Sequence, residues 1–130
     1  MAKHILIVDD EPNFRFSAGI ALKKEGYEIS EAENGKEAFT MIMDAQKESR
    51  RFDLLLLDVQ MPGMSGIELI KKLKKNSILV PILVVSAFPT KEHVAELVLN
   101  GCLQILSKPF EPSVLLKRVE EILERYEKQA

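Results

Sequence analysis

Two apolar spacings take turns along this chain, and that alternation restricts the fold more than any other feature. Short unbroken runs rich in Ile, Leu and Val occur at 4–8, 53–57, 81–85 and 103–106, with a weaker alternating run at 27–32. Unbroken apolar runs of this length, bounded by turn residues, predict strands covered on both faces of a parallel sheet. Between them lie stripes at helical spacing. Phe14, Ala18, Ala21 and Leu22 form the first, Ala38, Met41, Ile42 and Ala45 the second, and Ile67, Ile70 and Leu73 the third. Val94, Leu97 and Val98 form the fourth, and Val114, Leu115, Val119, Ile122 and Leu123 the fifth. Punctuation agrees: Pro12 suits a first helical turn, Ser65 a helix cap, Gly26 and Gly101 helix C-termini, and Pro81 the start of a strand. Five β-α units in strict alternation predict a doubly wound α/β sandwich.

A length of 130 residues suits one domain over 1–130 and is enough to bury a core. A net charge of -2 gives no general attraction to nucleic acid or to anionic lipid. The longest apolar run falls well short of the roughly 20 residues needed to span a membrane, and the first four residues do not begin a signal peptide. A single cysteine, Cys102, excludes an internal disulfide and suits a reducing, cytoplasmic compartment.

Ligands of an open parallel sheet bind beyond the carboxyl ends of its strands. Asp9 and Asp10 follow the first run, Asp58 the third, Ser86 the fourth and Lys108 the fifth. From Asp10 the intervals are 48, 28 and 22 residues. At about 25 residues per β-α unit these are two units, one and one, so all five side chains should gather on one edge. Three carboxylates held together cannot all ionise cheaply, and at least one pKa should rise. Lys108 offsets one charge and a divalent cation would offset the remainder. All-oxygen ligands suit Mg²⁺, which uses one or two carboxylates, waters and a phosphate oxygen. Such a site can accept a phosphoryl group, with the ion and the ammonium neutralising its oxygens and the Ser86 hydroxyl donating to the product.

The motifs Ile7-Val8-Asp9-Asp10-Glu11, Leu57-Asp58 with Met61-Pro62-Gly63-Met64-Ser65-Gly66, Ser86-Ala87 and Lys108-Pro109-Phe110 together resemble the receiver domain of bacterial two-component response regulators, over essentially the whole chain. The resemblance implies a flavodoxin-like, five-stranded parallel sheet of order 2-1-3-4-5, for which a chemotaxis receiver is itself the standing example. It implies that Asp58 takes a phosphoryl group from a sensor histidine kinase or phosphotransfer protein. Asp10 would bind Mg²⁺ directly, Asp9 partly through water, and Asp58 and the Gln60 carbonyl would complete the protein ligands. Ser86 would be the switch hydroxyl, and Lys108, before a cis Pro109, would pair with the phosphoryl group. Output would pass through helix 4, strand 5 and helix 5 to an effector domain, a partner or a second copy. Catalysis would be limited to self-phosphorylation and slow autodephosphorylation. Where the family usually carries Tyr or Phe, three residues before the lysine, this chain has Ile105. Switching would then rely on the loop after strand 4 and repacking of Phe88 rather than on an aromatic rotamer.

Other readings of the same residues exist. Strand-end acids also act as turn formers and helix caps, which is the ordinary role of Asp9, Asp10 and Glu11. His4 and His93 lack a metal-ligand pattern, and Cys102 reads as buried filler. A Mg²⁺-dependent phosphohydrolase with an Asp nucleophile typically has a second Asp where this chain has Gln60. A flavin-phosphate binder needs anion-binding N–H groups where Asp9-Asp10-Glu11 would repel the phosphate. A phosphorylation-independent scaffold of the same fold would not need the acidic set.

Overall fold

The computed structural model describes residues 2–60, 65–87 and 90–129 of the protein. In chain order the elements are β1 (His4–Val8), α1 (Pro12–Lys24), β2 (Glu28–Ala32), α2 (Gly35–Lys47), β3 (Leu54–Asp58), α3 (Gly66–Lys75), β4 (Ile82–Ser86), α4 (Lys91–Leu99), β5 (Ile105–Ser107) and α5 (Pro112–Gln129). All strand pairs are parallel and the sheet order is β2-β1-β3-β4-β5, as the resemblance implies.

Strand side chains alternate between faces, so each central strand serves two cores. Leu6, Val8, Leu55, Leu57 and Val84 face α2, α3 and α4, meeting Ala38, Ile42, Ile70, Leu73 and Leu97. Ile5, Ile7, Leu54, Leu56, Leu83 and Val85 face α1 and α5, meeting Ala18, Leu22, Leu115, Val119 and Ile122. The weak alternation at 27–32 is the signature of an edge: β2 leaves Glu28 and Glu31 exposed and buries Ala32.

Strand limits move forward from the expected ones, with a physical cause in each case. Asp53 spends its own N–H on the His4 carbonyl and its carboxylate on the His4 N–H, so β3 runs Leu54–Asp58 and not 53–57. Pro81 has no N–H but its carbonyl accepts from Leu55 at 2.9 Å, so β4 begins at Ile82 and extends to Ser86. The expected strand at 103–106 is Ile105–Ser107. The Cys102 N–H turns back to the Leu97 carbonyl, leaving Leu103 72% exposed before the ladder starts. These shifts place Asp58 and Ser86 inside the sheet's last paired positions, opposite Val85 and Ser107 respectively.

Helix ends are fixed locally. Pro12 opens α1, and Asn34, Ser65 and Thr90 cap α2, α3 and α4 by accepting backbone N–H groups of Glu37, Glu68 and His93. Gly26 and Gly101 close α1 and α4 at positive φ, as their positions predict. Ser49 and Ser77 perform the same closure on α2 and α3 at φ 57°, which composition did not signal. Gly66 has a different role. A Cβ there would lie 2.6 Å from the Asp58 carbonyl oxygen and 2.7 Å from Val59 Cα, so the start of α3 can press against the end of β3 only without a side chain. The expected turn at Met61-Pro62-Gly63 and the expected repacking of Phe88 lie outside the described residues. Among the described residues no helix is long and apolar enough to cross a membrane.

Candidate functional site

Period-two alternation carries past the strand ends and sorts the charges. Asp9 continues the face of Ile5 and Ile7, Asp58 that of Leu54 and Leu56, and Lys108 that of Leu106, all on the α1–α5 side. The three meet. Lys108 Nζ lies 2.7 Å from Asp9 Oδ2 and 3.4 Å from Asp58 Oδ2, with Glu11 Oε1 at 3.9 Å. Asp9, Asp10 and Asp58 each offer a carboxylate oxygen within 4.8 Å of the others; Asp9 and Asp58 are buried and Asp10 is exposed.

Backbone donors orient the acids. Asp58 Oδ1 accepts the Gln60 N–H at 2.8 Å, and Asp9 Oδ1 accepts the Glu11 N–H at 2.9 Å. Asp9 does not cap α1 itself, because Glu11 takes the N-cap position with no side-chain cap bond. Asp58 is the carboxyl whose pKa rises, but the main cause differs from the one expected. Burial is the largest influence, opposed by the Gln60 N–H and the charge of Lys108, and the neighbouring Asp9 charge adds less. For Lys108, burial pulls downward, but the Asp9 hydrogen bond and the charges of Asp9, Asp58 and Glu11 outweigh it, so its pKa rises.

Ser86 joins the group through its backbone, its carbonyl accepting the Lys108 N–H at 2.8 Å. The hydroxyl is buried and has no hydrogen-bond partner among the described residues. Such an atom typically costs about 1–3 kcal/mol and so stands ready for a polar guest. The Lys108-Pro109 bond is cis, as the resemblance implies. Ile105 packs against the α2–α3–α4 core and pairs with Val84, so an apolar side chain fills the position where an aromatic was to be expected.

Two side chains near the site were not assigned to it from the sequence. Arg15 is buried, donates from Nη1 to the Asp9 carbonyl at 2.6 Å and from Nε to Glu31 at 3.0 Å, and lies 3.9 Å from Glu33. Its signal was available: it stands on the buried stripe of α1, one residue after Phe14 and three before Ala18. Phe14 packs against the α1–α5 core, as its place on the stripe predicts, and also brings its ring within 4.0 Å of Lys108 Nζ.

The model of the response regulator receiver domain matches residues 5–120. The chain belongs to that family. A phosphate regulon transcriptional regulatory protein, PhoB of Pseudomonas aeruginosa, is 39% identical over 127 residues, covering 96% of this chain and 53% of that protein. The transcriptional regulatory protein SrrA of Staphylococcus aureus is 34% identical, covering 96% of this chain and 49% of that protein. The receiver domain therefore spans about half the length of these curated relatives. Among solved structures, a CheY-like receiver domain from Methanospirillum hungatei aligns over 100% of both chains, with a TM-score of 0.90 and 31% identity. The chemotaxis protein CheY4 of Vibrio cholerae aligns over 94% of this chain and 99% of its own, with a TM-score of 0.82 and 34% identity. The fold and the two-component receiver class are thus established by both sequence and shape.

The donor set at Asp9, Asp10 and Asp58 fits a hard divalent cation: all oxygen, three formal negative charges and one ammonium beside them. His4 is engaged otherwise, its Nε2 lying 2.7 Å from Ser30 Oγ. Cys102 is buried and its thiol pKa is pushed up, chiefly by that burial, which suits an inert filler.

Proposed function

We propose that Asp58 is the phosphoacceptor of a two-component signalling switch, using Mg²⁺ held by Asp9, Asp10, Asp58 and the Gln60 carbonyl. The supporting observation is the shared ammonium: Lys108 bridges Asp9 and Asp58 at the sheet edge, where three carboxylate oxygens converge. When bound, Mg²⁺ supplies charge neutralisation for the phosphoryl oxygens. The protein's own residues do the rest. The Gln60 N–H fixes the Asp58 carboxylate, Lys108 turns from Asp9 toward the incoming oxygens, and Ser86 supplies a hydroxyl that has no partner among the described residues. In the transfer an Asp58 oxygen forms the new bond to phosphorus while the bond to the donor imidazole breaks, giving an acyl phosphate. Slow autodephosphorylation follows, with the Gln60 amide orienting water.

The donor is a sensor histidine kinase or a phosphotransfer protein, and residues 1–130 act as one receiver unit. Output leaves through α4, β5 and α5, where Val98, Leu99, Leu103 and Tyr126 expose apolar surface. The curated relatives are transcriptional regulators by name, and an output of that kind is the reading they support.

In the deciding experiment, purified protein is exposed to acetyl phosphate or a phosphorylated kinase, with and without Mg²⁺. Mass spectrometry should find one Mg²⁺-dependent phosphoryl group on the wild type and none on Asp58→Ala. Mg²⁺ alone should raise the melting temperature by mass action, with the shift reduced in Asp10→Ala. Full labelling of Asp58→Ala, or the same thermal shift in both proteins, counts against the assignment.

A further inference from the structure

The first turn of α1 reaches over the acidic site, and the residue it brings there is aromatic. The Phe14 ring lies 4.0 Å from the Lys108 ammonium and meets Phe110 edge-on, with centroids 6.1 Å apart and planes at 88°. Phe110 follows the cis Pro109 in the β5–α5 connection, so the ring is braced by the segment that carries Lys108. The same ammonium touches Asp9 at 2.7 Å, Asp58 at 3.4 Å and Glu11 at 3.9 Å.

We propose that Phe14 is a positioning residue for phosphoryl transfer, its ring holding the Lys108 ammonium beside Asp58. This rests on the reading of Lys108 as the partner of the phosphoryl group. The partners of the ammonium are in competition. Asp9 makes the shortest contact to the ammonium and is also a candidate ligand of the divalent ion. An ion at Asp9 repels the ammonium and draws on the same carboxylate charge, so that contact weakens when catalysis requires the lysine to stay. Asp58 changes chemically during the transfer. Glu11 is exposed, and a lysine drawn to it would be drawn toward solvent. The aromatic face has neither problem, since it binds cations without a lone pair that a metal ion could claim and is not altered by the transfer. The attraction extends across the ring face, so Lys108 can swing from Asp9 toward Asp58 while staying over it.

The test separates this role from packing. 4-Fluoro- and 3,4,5-trifluorophenylalanine at position 14 keep nearly the same shape while weakening the ring's hold on a cation. Phe14→Leu removes the ring, and Phe14→Tyr should restore the function. In Mg²⁺-free, unphosphorylated protein the Lys108 ε protons should show an upfield ring-current shift that Phe14→Leu abolishes. The phosphorylation rate at saturating acetyl phosphate should fall stepwise along the fluorinated series, by about 2- to 30-fold in all, with KM little changed. A wild type lacking the ring-current shift overturns the contact. Wild-type rates in the trifluoro variant overturn the positioning role. Failure of the wild type to take a phosphoryl group on Asp58 instead overturns the underlying functional reading, and the proton shift still decides whether the contact exists.

Discussion

Replacing Gly66 with alanine should destabilise the protein, although helix propensity alone argues the opposite. Ala is favoured over Gly in helices by about 1 kcal/mol in the interior, and by less at a first turn. Against this stands the geometry. The added Cβ would sit 2.6 Å from the Asp58 carbonyl oxygen and 2.7 Å from Val59 Cα, and both are main-chain atoms that cannot rotate aside. Relief requires α3 and the end of β3 to separate by roughly 1 Å, and overpacking of this kind costs about 1–3 kcal/mol. The net loss should be about 1–2 kcal/mol, and at about 4 °C per kcal/mol for a domain of this length the melting temperature should drop by about 4–8 °C. The same displacement moves Asp58, so the phosphorylation rate should fall as well. Gly19 supplies the control. It lies inside α1, and a Cβ there would meet Ile29 Cγ2 at 3.8 Å, an ordinary contact. Gly19→Ala should therefore stabilise by about 0.5–1 kcal/mol. Thermal melts of the two variants against wild type decide the matter, and a Gly66→Ala protein at least as stable as wild type would falsify the close-packing argument.

Further substitutions at two positions probe the site's electrostatics. Burial raises the Asp58 pKa, so the folded protein binds that proton more tightly than the unfolded chain does. The resulting penalty is absent below the ordinary carboxylate value, grows as pH rises from there through the folded value, and is complete above it. In Mg²⁺-free buffer Asp58→Asn should consequently melt higher than wild type at pH 7, with the gain shrinking as the pH approaches 3; a variant less stable than wild type at pH 7 would reverse that sign. Arg15→Ala removes a buried charged donor from the Asp9 carbonyl and from Glu31, at a cost of about 2–3 kcal/mol in urea denaturation. Arg15→Lys should recover only part of this, because an ammonium cannot present the guanidinium's fork to both partners, and full recovery would show that charge alone suffices.

Most of the fold could be read from the chain because one sheet imposes one pattern. A central parallel strand buries both faces, and Leu54-Leu55-Leu56-Leu57 can hardly belong to anything else in a domain this small. Punctuation worked where a residue's chemistry is restrictive, as with Pro12 and Gly101. It failed at Ser49 and Ser77, where positive φ is tolerated by a residue that does not demand it. Strand limits slipped because hydrogen bonds set them, and the bonds of Asp53, Pro81 and Cys102 join segments far apart in sequence or turn back on a helix.

The site shows the same division between what spacing encodes and what only packing decides. Counting β-α units predicts that Asp9, Asp10, Asp58, Ser86 and Lys108 share an edge. It does not say that Lys108 rests closer to Asp9 than to Asp58, or that burial outweighs like charge in raising the Asp58 pKa. Both follow from depth. The edge lies deep enough that Asp9 and the Ser86 hydroxyl are sealed from solvent, so each charge takes the nearest opposite charge and the hydroxyl has no partner among the described residues. The neighbours on α1 were hidden for a related reason. Phe14 and Arg15 fit a helix stripe, and a stripe records which side faces inward without recording what lies there. At the end of a sheet the inward side of the first helical turn meets strand-end chemistry as well as core. An aromatic or an arginine at that turn is thus to be read as part of the site as well as of the packing, and in this receiver domain the two together grip the lysine and the backbone of the first acid.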